Sequence, residues 1–151
     1  VFGRNWTGTI EFNDVLCSQN TAVDDGGCFY SAGRGTVTNG TTMEDNVSGQ
    51  GGCIYAGGNS DTVVDGGQFT GCRSNGNGAF MFASDGALVT IRGGTVKNSE
   101  AVKRAGVVYC DGNSNNLGGS KVTIEGGTFT DNVALEMGGA IVAWGRNDGK
   151  P

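Results

Sequence analysis

The chain has 151 residues, thirty of them glycine and one proline, with a formal charge of −5 and no histidine. That is about one domain's length. No Gly-X-Y period supports a collagen helix, and the ten scattered basic residues form no stripe for nucleic acid. No apolar run reaches the roughly 18 residues of a membrane span, and without His or a Cys-x-x-Cys pair the usual zinc site is not expected.

The elements recur in chain order. A first unit reads Gly8-Thr9-Ile10-Glu11, then Cys17-Ser18-Gln19-Asn20, then Gly26-Gly27-Cys28-Phe29-Tyr30. The second is Thr36-Val37-Thr38-Asn39-Gly40, Met43-Glu44-Asp45-Asn46 and Gly51-Gly52-Cys53-Ile54-Tyr55. The third is Thr62-Val63-Val64-Asp65-Gly66-Gly67, Phe69-Thr70-Gly71-Cys72 and Asn77-Gly78-Ala79-Phe80-Met81. Then come Val89-Thr90-Ile91-Arg92-Gly93-Gly94, Val96-Lys97-Asn98-Ser99 and Ala105-Gly106-Val107-Val108-Tyr109. The last unit, which keeps both landmarks best, is Val122-Thr123-Ile124-Glu125-Gly126-Gly127, Phe129-Thr130-Asp131-Asn132 and Gly138-Gly139-Ala140-Ile141-Val142.

Aligned on the Gly-Gly signal, the units repeat at intervals of 25, 26, 28 and 33 residues. A near-constant period with drift is what loop insertions on a stacked solenoid produce. β-branched residues, alternation and Gly-rich breaks dominate, and no 3.6-residue period is sustained. The expected fold is therefore all-β: a single-stranded parallel β-helix (β-solenoid) of about five coils, each with three short strands. The coils run roughly over 8–35, 36–61, 62–87, 88–120 and 121–149. The chain opens on Val1 rather than Met and reads as a piece of a longer array.

Stacking converts alignment columns into ladders. Cys17, Met43, Phe69, Val96 and Phe129 should point inward, as should Ile10, Val64, Ile91 and Ile124. Asn20, Asn46, Cys72, Ser99 and Asn132 form a small polar column at a turn, where stacked amides bond along the ladder. On the Gly-Gly strand, Phe29, Ile54, Phe80, Val108 and Ile141 are placed inward. Tyr30, Tyr55 and Tyr109 then form an outward aromatic row able to contact a sugar or a partner; the opposite phase would bury them.

The pairing of Phe-x-x-Asn with Gly-Gly-Ala-Ile, complete in Phe129–Ile141 and partial in the other copies, resembles the repeats of chlamydial polymorphic outer membrane proteins. It also looks like β-helix surface proteins of algae and other microbial eukaryotes. The resemblance covers about residues 9 to 145 and implies a right-handed β-helix in an extracellular or cell-surface stalk or adhesin. Its partners would be other subunits or further coils, with glycans as a second class, and no membrane insertion by this segment.

Enzymatic β-helices, the pectate lyases and polygalacturonases, set the alternative. Their relatives combine paired carboxylates with His, which this chain lacks, and its adjacent acidic pair Asp24-Asp25 lies in a turn where neighbouring side chains diverge. No catalytic residue, cofactor or resident metal is expected. Asp111-Gly112-Asn113-Ser114-Asn115 has calcium-loop spacing but lacks the sixth-position Gly and the terminal Glu, so an Asn-rich turn is the default.

Five cysteines leave at least one thiol unpaired within the chain. Cys28 and Cys53 share a column of adjacent coils at disulfide distance; a vertical bridge and a pair of stacked thiols are both open. Asn5, Asn39 and Asn46 begin glycosylation sequons. Asn46 lies in the expected ladder, which leaves Asn5 and Asn39 as the sites for modification. The expectation is a non-catalytic extracellular structural or adhesive module. A carbohydrate-binding or degenerate polysaccharide-processing β-helix is one alternative, and a segment of a self-assembling filament is another.

Overall fold

A computed structural model describes residues 2–112 and 119–145, apart from the side chains of residues 2–8 and 38. Among the described residues there is no helix, and parallel strands stack as a β-solenoid of about four turns. Five copies of the Gly-Gly strand were expected to mean five coils; they bracket four intervals.

In chain order the strands are β1 (Phe2–Phe12), β2 (Leu16–Ser18), β3 (Phe29–Thr38), β4 (Thr42–Glu44), β5 (Val47–Ser48), β6 (Ile54–Ala56), β7 (Asp61–Thr70) and β8 (Arg73–Ser74). They continue as β9 (Met81–Ala83), β10 (Leu88–Lys97), β11 (Glu100–Ala101), β12 (Val108–Asp111), β13 (Lys121–Ile124), β14 (Thr128–Thr130), β15 (Val133–Ala134) and β16 (Ile141–Trp144). One face stacks the start of β3 with β6, β9, β12 and β16. A second stacks the ends of β1 and β3 with β7, β10 and β13. The third stacks β2, β4 and the ends of β7 and β10 with β14. A corner ladder of β5, β8, β11 and β15 closes each coil.

Between the second and third faces the chain bends at glycines. Gly66, Gly67, Gly94 and Gly127 have φ between 103° and 122°, a region in which L side chains are strained. The register slips at the same place, between Ile91 and Thr95, so β7 and β10 each serve two faces without breaking.

The lumen fills with the expected ladders. Cys17, Met43, Phe69, Val96 and Phe129 are aligned residue by residue, and Met43, Phe69 and Val96 are sealed from solvent. The neighbouring ladder is Phe12, Val37, Val64, Ile91 and Ile124. Ile10 belongs one step along the same side, with Gly35, Thr62, Val89 and Val122. It still packs against the core, because a shift of two residues keeps a side chain on the same face.

The third copy of the Gly-Gly strand is shifted by one from the sequence alignment. Gly78, not Asn77, aligns with the first glycine, and Phe82, not Met81, aligns with the tyrosines. The reason is backbone conformation. Gly26, Gly51, Gly78, Ala105 and Gly138 all have φ of 61° to 65°; the left-handed corner falls on a glycine in four of the five copies, and in the third copy that glycine is Gly78. Strand alternation begins only after this corner, which is why Cys28 and Phe29 both face the main core.

Candidate functional site

Beyond the lumen, one group of side chains is drawn together by the coil pitch. Tyr30, Tyr55, Phe82 and Tyr109 stack with ring centroids 4.9, 5.3 and 5.1 Å apart and interplanar angles of 3°, 13° and 11°. Each ring repeats close to the strand spacing of about 4.8 Å, so the parallel register alone produces the stack. The row forms a buried cluster of its own, separate from the main core, with Tyr30 packed against it.

Its exposure does not match the expectation of a sugar-contacting row. Tyr55 and Tyr109 are 9% and 3% exposed and Phe82 is 7% exposed, while Tyr30 is half-buried. The rings cover one another's faces, and the Tyr55 ring also reaches along its own strand to Gly57. A β-carbon on Gly57 would sit 2.7 Å from the Tyr55 ring, so that glycine gives the ring its place. Phe82 could have been found from sequence only by locating the left-handed corner first.

Polar groups fringe the row. The Tyr55 hydroxyl lies 2.7 Å from Ser84 Oγ, and Ser84 donates to Asp85 Oδ2 at 3.1 Å. Burial pushes the Tyr55 phenol up to about 12, with Asp25 and Asp85 adding to the rise and the Ser84 bond opposing it. Burial raises the Tyr109 phenol as well, against a hydrogen bond from Arg104. Arg104 itself lies 4.4 Å over the Trp144 ring and pairs with Glu136 at 3.5 Å.

At the other end of the row stands the acidic pair. Asp24 is exposed and Asp25 half-buried. The Asp25 carboxyl is raised by burial, then by Asp24 and Asp85. Both line a concavity of about 800 Å³ at the first coil, together with Cys17, Cys28, Asn20 and Tyr30. Asp25 also forms a backbone bridge to Gln50 of the next coil. The pair therefore belongs to a ladder corner, and its chemistry is that of two carboxylates beside an aromatic wall.

No family model, no curated protein and no solved structure matches this chain.

The polar column is a working ladder. Asn46 Oδ1 accepts from the Asn20 backbone N–H at 3.0 Å and from Asn20 Nδ2 at 2.9 Å, and Asn46 Nδ2 donates to the Cys17 carbonyl at 2.8 Å. Asn132 repeats the arrangement on the Ser99 N–H and the Val96 carbonyl, both at 3.0 Å. Each asparagine thus clamps the turn of the coil beneath it. Asn46 is fully buried with both amide atoms engaged, which withdraws its sequon.

Cys28 and Cys53 are adjacent, as expected, with the Cys28 N–H donating to the Cys53 carbonyl at 3.0 Å. They are not bridged to each other. Cys28 bonds to Cys17 with Cα atoms 6.1 Å apart, and Cys53 bonds to Cys72 with Cα atoms 5.4 Å apart. At the corner the thiols project inward, across to the Cys17 and Cys72 columns, instead of along the stack. Cys110 is the free thiol, half-buried, with burial raising its pKa.

Of the remaining sites, Asn39 is exposed in the turn after β3. Its sequon partner Thr41 is fully buried and donates to the Phe12 carbonyl at 2.8 Å. The Asn5 side chain and Asn113, Ser114 and Asn115 of the calcium-like stretch lie outside the described residues. Among the described residues no three or more His, Cys, Asp or Glu come together as a metal site.

Proposed function

We propose that this chain is a non-catalytic structural or adhesive module of an extracellular or cell-surface protein, serving as a stacked-coil spacer. The observation that carries this reading is where the distinctive side chains go. The aromatic row, the asparagine column and both disulfides bind coil to coil or corner to core, and Tyr55 and Tyr109 keep too little surface to stack on a sugar. Two disulfides are in keeping with an oxidising compartment. The resemblance of the Phe-x-x-Asn and Gly-Gly-Ala-Ile repeat to microbial surface proteins supports the same location, though it bears on fold more than on activity.

The experiment is a paired assay on the purified chain. Incubation with a panel of pectic, cellulosic and amino-sugar polysaccharides should release no new reducing or unsaturated ends, while immunolabelling of the native source should mark the cell surface or matrix. Product release that disappears in Asp25→Asn would refute the non-catalytic reading, and labelling confined to the cytosol would refute the location.

A second reading, assembly with further coils, has its own support. Ladder positions sealed in the middle coils open in the last described coil, where Ile124 and Ile141 are 36% and 46% exposed. An apolar end with strand edges offers itself to another coil by continuing the stack. Stacked particles growing with concentration in electron micrographs would support it, and a strictly monomeric chain at all concentrations would remove it.

A further inference from the structure

The two disulfides differ in where they sit and what they enclose. Cys53 and Cys72 are both sealed from solvent. Cys17 is half-buried, Cys28 is 5% exposed, and both line the concavity at the first coil. The Cys17–Cys28 bridge encloses the corner that carries Asn20, the acidic pair and Val23, which is 91% exposed. This corner is held by the second coil: Gln19, Ala22, Gly26 and Cys28 donate their N–H groups to the carbonyls of Glu44, Val47, Gln50 and Cys53. The Cys53–Cys72 bridge instead ties one coil to the next inside the core, and Cys72 takes the column position where other coils have an asparagine clamp.

We propose that Cys17–Cys28 is a reducible latch on the first corner, and that Cys53–Cys72 is a protected staple that keeps the solenoid closed when the latch opens. The reductant class is a dithiol. Its thiolate attacks Sγ of Cys17, the more exposed of the two residues, and Cys28 leaves as a thiolate that takes up a proton. The second thiol of the reductant then displaces Cys17 from the mixed disulfide. The reductant closes to its own disulfide, and the protein pair has gained two electrons and two protons. Residues 18–27 then have no covalent tie across the corner, and the acidic pair can leave the end of the aromatic row when the hydrogen bonds to the second coil open.

The test is reduction of the folded chain with dithiothreitol, alkylation, peptide mass spectrometry and amide exchange on the same sample. Cys17 and Cys28 should alkylate together while Cys53–Cys72 stays oxidised, and exchange over 18–27 should rise at least about tenfold with β7 and β10 unchanged. The double variant Cys17→Ser/Cys28→Ser should show the fast-exchanging corner without reductant. Simultaneous reduction of both bridges would overturn the proposal. So would an open pair, or the double variant, whose corner exchanges as slowly as the oxidised protein's.

Discussion

Asn46 shows at the scale of one residue how the solenoid is held. Three of its bonds go to the coil beneath, and it lies out of reach of water. Replacing it with alanine removes both amide atoms and leaves the Cys17 carbonyl and the Asn20 N–H without those partners. The expected loss is about 2–3 kcal/mol by urea unfolding, and a loss within experimental error would show the clamp to be ornamental. Tyr55 makes a second prediction, through pH. Its phenol is pushed up to about 12 from an ordinary 10.0, so the folded state favours the neutral form. The stability this group contributes is fully present below pH 10 and is lost as pH rises from 10 towards 12, by up to about 2–3 kcal/mol. Unfolding measured across that range should be flatter for Tyr55→Phe than for the parent, and parallel curves would contradict the assignment.

The strand ladders are where the sequence was most legible. Cys17, Met43, Phe69, Val96 and Phe129 could be aligned without coordinates because an apolar residue three places before a small polar one is a double constraint, and the structure keeps that alignment throughout. The Gly-Gly strand was legible only in part. Its phase depends on which residue takes the left-handed corner, and Asn77-Gly78 offers two residues tolerant of that conformation. Burial of the tyrosines was hidden for a different reason: alternation gives the side of a strand, not what lies over it. The cysteine pairing was hidden because Cys28 and Cys53 lie at corners, where strand geometry no longer fixes side-chain direction. Two substitutions test the ladder account. Phe69→Ala empties a sealed position and should cost about 3–5 kcal/mol, whereas Phe129→Ala, at a partly exposed rung of the same ladder, should cost clearly less; equal losses would deny that stacking from both sides matters. Gly51→Ala forces a β-carbon against the Ile54 carbonyl at φ 61°, and should destabilise by more than about 1 kcal/mol.

For the whole molecule, stability is assembled from interfaces between neighbouring coils, whose paired residues lie one repeat apart in sequence, as in other repeat architectures. Exposed ion pairs that climb from coil to coil, Arg34 to Asp61 and Arg92 to Glu125 at 3.7 Å, add little to this, about 0–1 kcal/mol each. The inner staple adds more. The double variant Cys53→Ser/Cys72→Ser should lose about 3 kcal/mol, the effect of opening a loop of this size, and thermal unfolding that does not shift would contradict it. The parallel ladders also have a mechanical consequence. Their hydrogen bonds run along the stack, and the two ends of the described chain lie at opposite ends of it, so tension between those ends loads one rung at a time. Such a rod resists bending through its stacked core yet peels under axial pull, one coil per event. The covalent tie between Cys53 and Cys72 stands in the path of that peeling, which makes it a stop that limits how far the rod can be unwound.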